Sequence, residues 1–538
     1  MPRLHRLALH TIDYLIIGGY FSSILIIGYR LRRRNLSSTD FFLAGRSLPV
    51  GVTGIAFVAA NCGALEIMGM VSTSAKYGAR ACHFYWIGAV PAMLFLSLFM
   101  MPIYYQSRVR SVPEFLKMRY GEATRAFNAI SFAIMMVLVS GISLYAMAII
   151  LGTLLGWGFA TSACLTAAVV LVYIVLGGLS ASIYNEVLQF ILIVAGLSPL
   201  VFYGLGEMHG WHGLAQAIGP GLSHAWQGLP VASPFRSAMD GVGNVLGLGF
   251  VLSFGYWCTD FLLIQRALAA KNMASAVSTP LLGAVVKLFF PALVVLPGLV
   301  ALALYPHSIT ARYDLALPAL MARYYSPGLL GLGVTAMLAS FMSGMAGNVT
   351  AFNTVFTYDL YQAYCVRGRS DRHYLAAGRV ATIAGVLLSI ATAYVALHFN
   401  NLMDYVQLLF SFFNAPLFAT FLLGMFTMWA TPAGGFAGLV SGTFAALLHY
   451  LAYHFHWLPY GSDMTANFYG ALCAWCVCFL VTAAVSAVTA RKPAAELVGL
   501  VYGSSAGGTA GSGSRAKGAW IFAGLIVVGL VVLNWIFR

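Results

Sequence analysis

The chain alternates between long apolar runs and short polar stretches from end to end. Because crossing the hydrocarbon core of a bilayer takes about 20 mostly apolar residues, this pattern predicts about fourteen membrane-spanning helices. The predicted spans are 10–30, 50–75, 80–105, 125–155, 158–178, 182–204, 241–265, 278–305, 327–357, 375–398, 402–428, 432–454, 465–489 and 518–537. The pattern therefore indicates an all-α polytopic membrane protein that forms a single transmembrane domain over residues 1–538.

One apolar segment, residues 51–77, carries polar residues in its middle. It reads GVTGIAFVAANCGALEIMGMVSTSAKY, and small residues there accompany Asn61 and Glu66. Irregular backbone at membrane depth occurs where protein or a water-filled cavity covers it, and secondary transporters bind ions and solutes at such broken helices. We therefore expect the backbone to open here and to line a cavity. The alternative is a helix kink in which Glu66 is neutral and hydrogen-bonded to a neighbour.

A second interrupted segment lies at 241–265, where a glycine-rich first half is followed by Tyr256, Thr259 and Asp260. Two interrupted segments separated by five spans indicate an inverted repeat with a binding site at its interface. Spans two to six and seven to eleven would form the two halves of a five-plus-five core at 50–428. The accessory helices would be 10–30, 432–454, 465–489 and 518–537.

Composition and charge agree with a membrane-embedded chain. Charged residues make up 8% of the sequence and hydrophobic residues 60%, whereas soluble domains carry about 25% charged residues. The net charge of +14 is spread over short loops rather than one soluble face, which argues against a nucleic-acid partner. The loops richest in Lys and Arg are predicted to be cytoplasmic, which places both termini outside a cell (inner or plasma) membrane. The first apolar run lacks a clear cleavage site and is expected to remain as an anchor.

Residue types that bind metals or carry out catalysis form no convincing site. The long loop at 205–240 contains three histidines, but their spacing matches no zinc signature, and a lid is favoured. The cysteines at 473–478 are better explained as small apolar residues of a helix. No nucleotide-binding loop or catalytic triad stands out, so an enzyme is not expected, nor a cofactor other than a coupling ion. The stretch at 503–514, GSSAGGTAGSGS, is typical of a flexible linker.

A few ionisable residues fall inside the predicted spans, where burial costs a few kcal/mol unless the group is paired or faces water. They are Glu66, Glu186, Asp260, Lys287 and Asp404. Two interpretations of Lys287 stay open, a charge that faces the cavity and a side chain that reaches the membrane interface.

The stretch from Ala339 to Asp359 contains a second candidate site. Ser340 and Ser343 lie on one helical face. Hydroxyls and opened backbone carbonyls near Ala59 and Cys62 are oxygen donors of the kind that alkali cations require. The alternative, which the spacing alone favours, is a small-residue face that lets helices approach closely.

Several stretches resemble the sodium/solute symporter family, and the resemblance covers nearly the whole chain. They are STDFFLAGRSLP at 38–49, RSVPEFLKMRYG at 110–121, GGLSASIYNEVLQ at 177–189, YWCTDFLLIQRALAAKN at 256–272 and FNTVFTYDLY at 352–361. YWCTD followed by QRALAAKN is most similar to the sodium/glucose and sodium/galactose branch. The resemblance implies a LeuT-like inverted-repeat bundle of five plus five helices and sodium-driven uptake by alternating access.

The resemblance also implies roles for individual residues. The substrate-binding positions are Asn61, Glu66, Tyr85, Ser253, Tyr256, Trp257, Lys287 and Gln407. The gate positions are Met70, Phe84 and Met403 on the outer side and Tyr256 on the inner side. The sodium positions are Ala59, Cys62, Ser340, Ser343 and Gly344, and Glu186 matches an ion-coupling acid.

The chain departs from the family pattern at four positions, one of which is Glu186, where the family has an aspartate one methylene shorter. Tyr85 stands where the branch has a glutamate, and Glu66 stands where it has a histidine or glutamine, so the acid is expected to have moved across the cavity. Gly344 replaces the second of two adjacent serines and removes one hydroxyl from the sodium position. The identity of the coupling ion, sodium or proton, therefore stays open.

The sequence favours a symporter that takes up a small polar solute with sodium, with a sugar such as galactose or glucose as the best candidate. The expected partners are the solute, sodium and the lipid bilayer; the oligomeric state is not predicted. Two alternatives are kept: a proton-coupled or non-sugar symporter of the same fold, and a membrane sensor that binds the solute without moving it. The loops are too short for a separate signalling domain.

Overall fold

The computed structural model describes residues 9–31, 44–63, 65–227, 229–398, 402–504 and 514–538. Within these ranges the protein is helical, and an isolated bridge between Leu48 and Ala270 is the one extended pairing. Most of the proposed linker at 503–514 and the first residues of the 38–49 stretch lie outside the described residues.

The helices are numbered here in chain order. The first nine are α1 (Thr11–Leu31), α2 (Val50–Ala59), α3 (Met70–Tyr77), α4 (Phe84–Gln106), α5 (Val112–Arg119), α6 (Glu122–Leu155), α7 (Phe159–Glu207), α8 (Gly243–Thr259) and α9 (Phe261–Leu268). The others are α10 (Met273–Phe289), α11 (Pro291–Leu304), α12 (Leu329–Val355), α13 (Asp371–Ala393), α14 (Leu402–Phe426), α15 (Pro432–His454), α16 (Asp463–Val488) and α17 (Ser514–Ile536). Short helices at Gly210–Ile218, Pro220–Ser223, Pro306–Ala311 and Ala316–Tyr324 occupy the two long loops.

By length and composition, the described residues contain 11 helices able to cross a membrane, or up to 12 if a bent pair is one span. The sequence-based number of about fourteen stays a prediction. One difference is that the predicted spans 158–178 and 182–204 belong to a single helix, α7, of 49 residues. The glycines between them cost only about 1 kcal/mol each in a helix and do not force it to end.

Both predicted interruptions are confirmed. In the first segment α2 ends at Ala59, and helical structure resumes at Leu65 before α3. In the second segment α8 and α9 are bent by 47° at Asp260. The Asp260 backbone is extended there, and its side chain accepts the Leu262 N–H at the start of α9.

The helices predicted to be accessory are tied to the rest of the protein. Asp13 of α1 accepts the backbone N–H groups of Gly328 and Gly331, both at 2.7 Å, and so caps the start of α12. At the far end of the chain, the Phe537 carbonyl accepts the Ala225 N–H at 3.0 Å. The Asn534 side chain accepts the Trp226 indole N–H at 2.9 Å. The end of α17 therefore holds the loop at 205–240.

These contacts define one face of the bundle. The end of α7 is joined to the segment before α12 by the ion pair between Glu207 and Arg323. The start of α1, through Asp13, and the long loops at 205–240 and 306–326 therefore lie on the same face, which we call the loop face. The end of α17 lies there as well, so the two ends of the described chain are on one side.

Candidate solute and cation site

The two helix breaks line one internal cavity. The empty space between its lining atoms, with the open mouth included, is about 870 Å³. It contains every residue that the sequence predicted for solute binding or gating except Lys287: Asn61, Glu66, Met70, Phe84, Tyr85, Ser253, Tyr256, Trp257, Met403 and Gln407. Their roles in solute binding and gating stay predictions.

Lys287 lies directly behind the cavity wall. Its ammonium donates to Glu66 Oε1 and to Asn61 Oδ1, and the residue is 0% exposed. It also faces the ring of Phe290 at 4.4 Å. Since its charge is buried and paired in this way, the side chain does not extend to the membrane interface.

Glu66 is the centre of a polar cluster at the first helix break. The Tyr85 hydroxyl donates to Glu66 Oε1 at 2.7 Å. Tyr85, at the position where the resemblance expects the acid, thus contacts Glu66 directly. Asn61 Nδ2 donates to the Tyr256 hydroxyl at 3.2 Å and links this cluster to the second broken segment. The ion pair with Lys287 neutralises a carboxylate that would otherwise be costly to bury.

The candidate gates lie on either side of this cluster. On one side, a Cβ at Gly69 would meet Met403 Cε at 3.4 Å, so α3 and α14 approach closely beside Met70 and Met403. On the other side, the Tyr256 ring stacks on Phe410 with centroids 4.8 Å apart. Sequence reasoning missed Phe410, because one phenylalanine within an apolar span gives no signal of its own.

The candidate sodium residues pack where α12 crosses the first break. The Ser340 hydroxyl donates to the Cys62 carbonyl at 2.8 Å, and the Ser343 hydroxyl donates to the Ala59 carbonyl at 2.9 Å. Gly344 lines the cavity itself. A Cβ at Gly63 would lie 3.0 Å from the Gly344 Cα, so the backbones touch here. Small residues therefore permit a close approach of the two backbones, as the packing interpretation of the serine face expects. The same approach brings hydroxyl and carbonyl oxygens together, and their role as sodium ligands stays a prediction.

Glu186 is not brought to the cavity. Its carboxylate accepts from Arg266 at 2.5 Å and from the Ser182 hydroxyl at 2.9 Å, and both charged side chains are 0% exposed. A buried carboxylate bound in this way has its charge already balanced.

An ionic cluster lies between the cavity and the loop face. Lys76 Nζ, at the end of α3, lies 3.0 Å from Asp404 Oδ2, at the start of α14. Asp314, in the loop before α12, is buried nearby, and this burial raises its pKa to about 6. Sequence analysis singled out Asp404 but did not pair it with Lys76, because the residues are far apart along the chain.

Two broken membrane helices whose breaks enclose one cavity are typical of multi-pass membrane transporters of the LeuT-like fold. The sequence profile described as "Sodium:solute symporter family" matches residues 41–442. The protein belongs to this family of sodium-coupled transporters, which are not enzymes.

Individual relatives agree with this assignment. The chain is 27% identical to sodium/glucose cotransporter 4 of Danio rerio, over 92% of this chain and 82% of the relative. It is 26% identical to the sodium/glucose cotransporter of Vibrio parahaemolyticus, over 82% and 86%. It is 28% identical to sodium/myo-inositol cotransporter 2 of Rattus norvegicus, over 81% and 69%.

Among solved structures, a Na⁺-coupled sialic acid symporter superposes with a TM-score of 0.77 at 17% identity, over 90% of this chain and 99% of that one. The nucleobase-cation-symport-1 transporter Mhp1 superposes with a TM-score of 0.54 at 12% identity, over 86% and 98%. At these identities the likeness establishes the fold.

Proposed function

We propose that the protein couples inward movement of sodium to uptake of a small polar solute, with a sugar such as galactose or glucose as the substrate, by alternating access. The observation that carries this proposal is the cavity, in which polar side chains face aromatic rings. Sugars are bound by this combination, hydrogen bonds to hydroxyls and stacking on an apolar ring face. The names of the relatives, sodium/glucose and sodium/myo-inositol cotransporters, point to the same class of solute.

The proposed solute contacts come from both broken segments and from α14. Asn61 and Glu66 offer acceptors, with Lys287 as a buried donor behind them. Gln407 Oε1 is buried without a hydrogen-bond partner, so it is available to a solute hydroxyl. Tyr256, stacked on Phe410, would lie beneath the bound ring and close the inner side.

The proposed coupling follows from the shared helix break. Sodium would be held by the carbonyls of Ala59 and Cys62, by Ser340 and Ser343, and by the backbone beside Gly344, once the serine hydroxyls turn from the carbonyls to the ion. The same break carries Asn61 and Glu66 on its cavity side. A cation that orders the break therefore favours solute binding, and the solute must favour the cation by the same free energy.

Proton coupling is the second candidate, and Gly344 is the observation that favours it, because one hydroxyl of the serine pair is missing. We also propose the finer architecture: fourteen spans, a five-plus-five core at 50–428 within one domain at 1–538, and both termini outside the inner or plasma membrane.

The deciding experiment is uptake of radiolabelled galactose and glucose into proteoliposomes. Vesicles with an inward sodium gradient, an inward proton gradient or neither would be compared, and empty vesicles would serve as controls. The proposal predicts accumulation under the sodium gradient alone. Accumulation that follows pH and ignores sodium would establish the proton-coupled alternative, and binding without accumulation under either gradient would indicate a sensor.

A further inference from the structure

Asp260 is an acidic cavity residue whose charge the proposed solute and sodium contacts leave unbalanced. It lies at the bend between α8 and α9 and is 1% exposed. Its Oδ1 accepts the Leu262 N–H at 2.9 Å, whereas its Oδ2 is buried with no hydrogen-bond partner. The residue itself lines the cavity.

The charges around the cavity are otherwise paired. Glu66 is neutralised by Lys287, and Glu186 is neutralised by Arg266. The two N–H groups of Arg266 Nη1 donate to Leu262 O and Gln265 Oε1. Among the described residues, no Lys, Arg or His forms an ion pair with Asp260, and none lines the cavity. An ionised carboxylate at this depth is costly without a counter-charge, and such residues mark ion pathways in membrane proteins.

Another oxygen-bearing side chain lines the cavity. It belongs to Asn348 of α12, which is 4% exposed. Asn348 follows Gly344 by one helical turn, and Asp260 follows Tyr256 by one turn. Helices α8 and α12 both start at the loop face. Asp260 therefore lies farther from that face than Tyr256, and Asn348 lies farther from it than Ser340 and Ser343, so both are at the far end of the cavity.

We propose that Asp260, with the side-chain oxygen of Asn348, forms a second sodium site on the far side of Tyr256. The sodium ion supplies the missing counter-charge, and carboxylate and amide oxygens are ligands suited to a hard cation. A cation leaving the Ala59–Ser343 position passes this point as it moves away from the loop face. The inference rests on the proposed sodium coupling, and it adds a site that this coupling does not require.

The test measures binding of radioactive sodium to the purified full-length protein. Asp260→Asn removes the charge and keeps the helix cap, because asparagine caps helices as well as aspartate. Asn348→Ala changes the proposed site without touching that cap. The matched control is Asp240→Asn: Asp240 is also 1% exposed, caps the start of α8 at Gly243 and has an unpaired Oδ2, but it does not line the cavity. Ser343→Ala changes the first proposed sodium site, at Ala59 and Ser343, and so identifies the sodium class that belongs to it.

We expect two classes of bound sodium, and added solute should raise the sodium affinity of one class only. Asp260→Asn should abolish the class that the solute does not tighten, and Asn348→Ala should weaken it about tenfold, or about 1.4 kcal/mol. Asp240→Asn should keep both classes, and Ser343→Ala should weaken the solute-linked class. Unchanged sodium binding in Asp260→Asn would overturn this inference and leave the proposed function intact. A parent protein that binds no sodium would overturn the proposed function itself. If protons alone displace the sodium class that depends on Asp260, Asp260 binds a proton in place of sodium and this inference is overturned.

Discussion

Glu66 shows how strongly one charge in a helix break depends on its neighbours. Its carboxylate receives the Lys287 ammonium and the Tyr85 hydroxyl on the same oxygen. Removing one member of a buried ion pair costs about 3–5 kcal/mol, because the other charge is left uncompensated. The residue that would bind solute therefore also holds the break together, and a test must separate the two effects.

Glu66→Gln should weaken sugar binding about tenfold or more, because the lost charge-assisted hydrogen bonds contribute about 1.5–3 kcal/mol each and about 1.4 kcal/mol is one decade. The double variant Glu66→Gln with Tyr85→Glu should recover part of this loss, because a carboxylate at 85 would lie close to the same place. Binding of radiolabelled sugar to the purified proteins measures both changes. Equal affinity in parent and Glu66→Gln would exclude the contact, and a loss without recovery would refute the exchange of positions.

Ser343→Ala should raise the half-saturating sodium concentration for uptake about tenfold, because one of few oxygen ligands is removed; tenfold corresponds to about 1.4 kcal/mol. Gly344→Ser should lower it. The matched control is Ser389→Ala in α13, another buried serine, whose hydroxyl donates to its own helix at Gly385. Uptake measured against sodium concentration should change for position 343 and not for 389. The same sodium dependence in both alanine variants would exclude Ser343 as a ligand.

Sequence alone identified these residues because polar groups are conspicuous in apolar segments. It could not identify their partners. For Lys287 the sequence left two interpretations open, a charge that faces the cavity and a side chain that reaches the membrane interface. Only the packing of α10 behind the first break decides between these interpretations. Asp260 was noted as a buried acid, but whether each of its oxygens has a partner depends on a side-chain rotamer that no sequence pattern specifies.

At the scale of helices, the two interruptions were predictable and one helix was not. Small and polar residues near Asn61, and the run at 256–260, weaken a lipid-facing helix in ways that the sequence displays. The continuity of α7 depends instead on what surrounds its middle. Glycines there allow an end without requiring one, so the helix is continuous from Phe159 to Glu207, while its part long and apolar enough to span a membrane begins at Leu179.

The α3 and α14 helices are joined on the loop-face side of the proposed outer gate by Lys76 and Asp404. Lys76→Met should favour a more open gate, because it leaves the nearly buried Asp404 carboxylate without its partner. A shift of about 1.4 kcal/mol changes the open population about tenfold. Labelling of a cysteine at position 84 by an impermeant thiol reagent would measure this opening. The charge exchange Lys76→Asp with Asp404→Lys should restore the parent labelling rate.

Arg323→Met is the matched control for this experiment. It breaks the ion pair with Glu207, which is also near the loop face but half exposed and away from the cavity. Exposed pairs contribute only about 0.2–1 kcal/mol, so the labelling rate should stay near that of the parent protein. Equal labelling in Lys76→Met and the parent would show that the pair does not hold the gate.

At the scale of the whole molecule, the terminal helices contact the segments that carry or adjoin the candidate sites. Helix α1 caps α12, which carries the candidate sodium serines, through Asp13. Helix α17 reaches the loop at 205–240 through Trp226, whose ring packs against His83 at 4.2 Å. His83 directly precedes Phe84 of the proposed outer gate. Sequence reasoning made α17 an accessory helix, because a helix that is apolar all round does not reveal which face is packed.

Phe537→Ala should loosen the loop at 205–240. The Phe537 ring packs against Trp86 at 5.5 Å and Trp211 at 5.4 Å, and such aromatic pairs contribute about 0.5–1.5 kcal/mol each. Hydrogen exchange of the purified protein should therefore quicken at 210–227, because local opening becomes less costly. The matched control is Trp535→Ala, a larger ring on the same helix that is 76% exposed. If both variants exchange at the parent rate, α17 does not hold the loop, and the link from Trp226 to the gate at Phe84 fails with it.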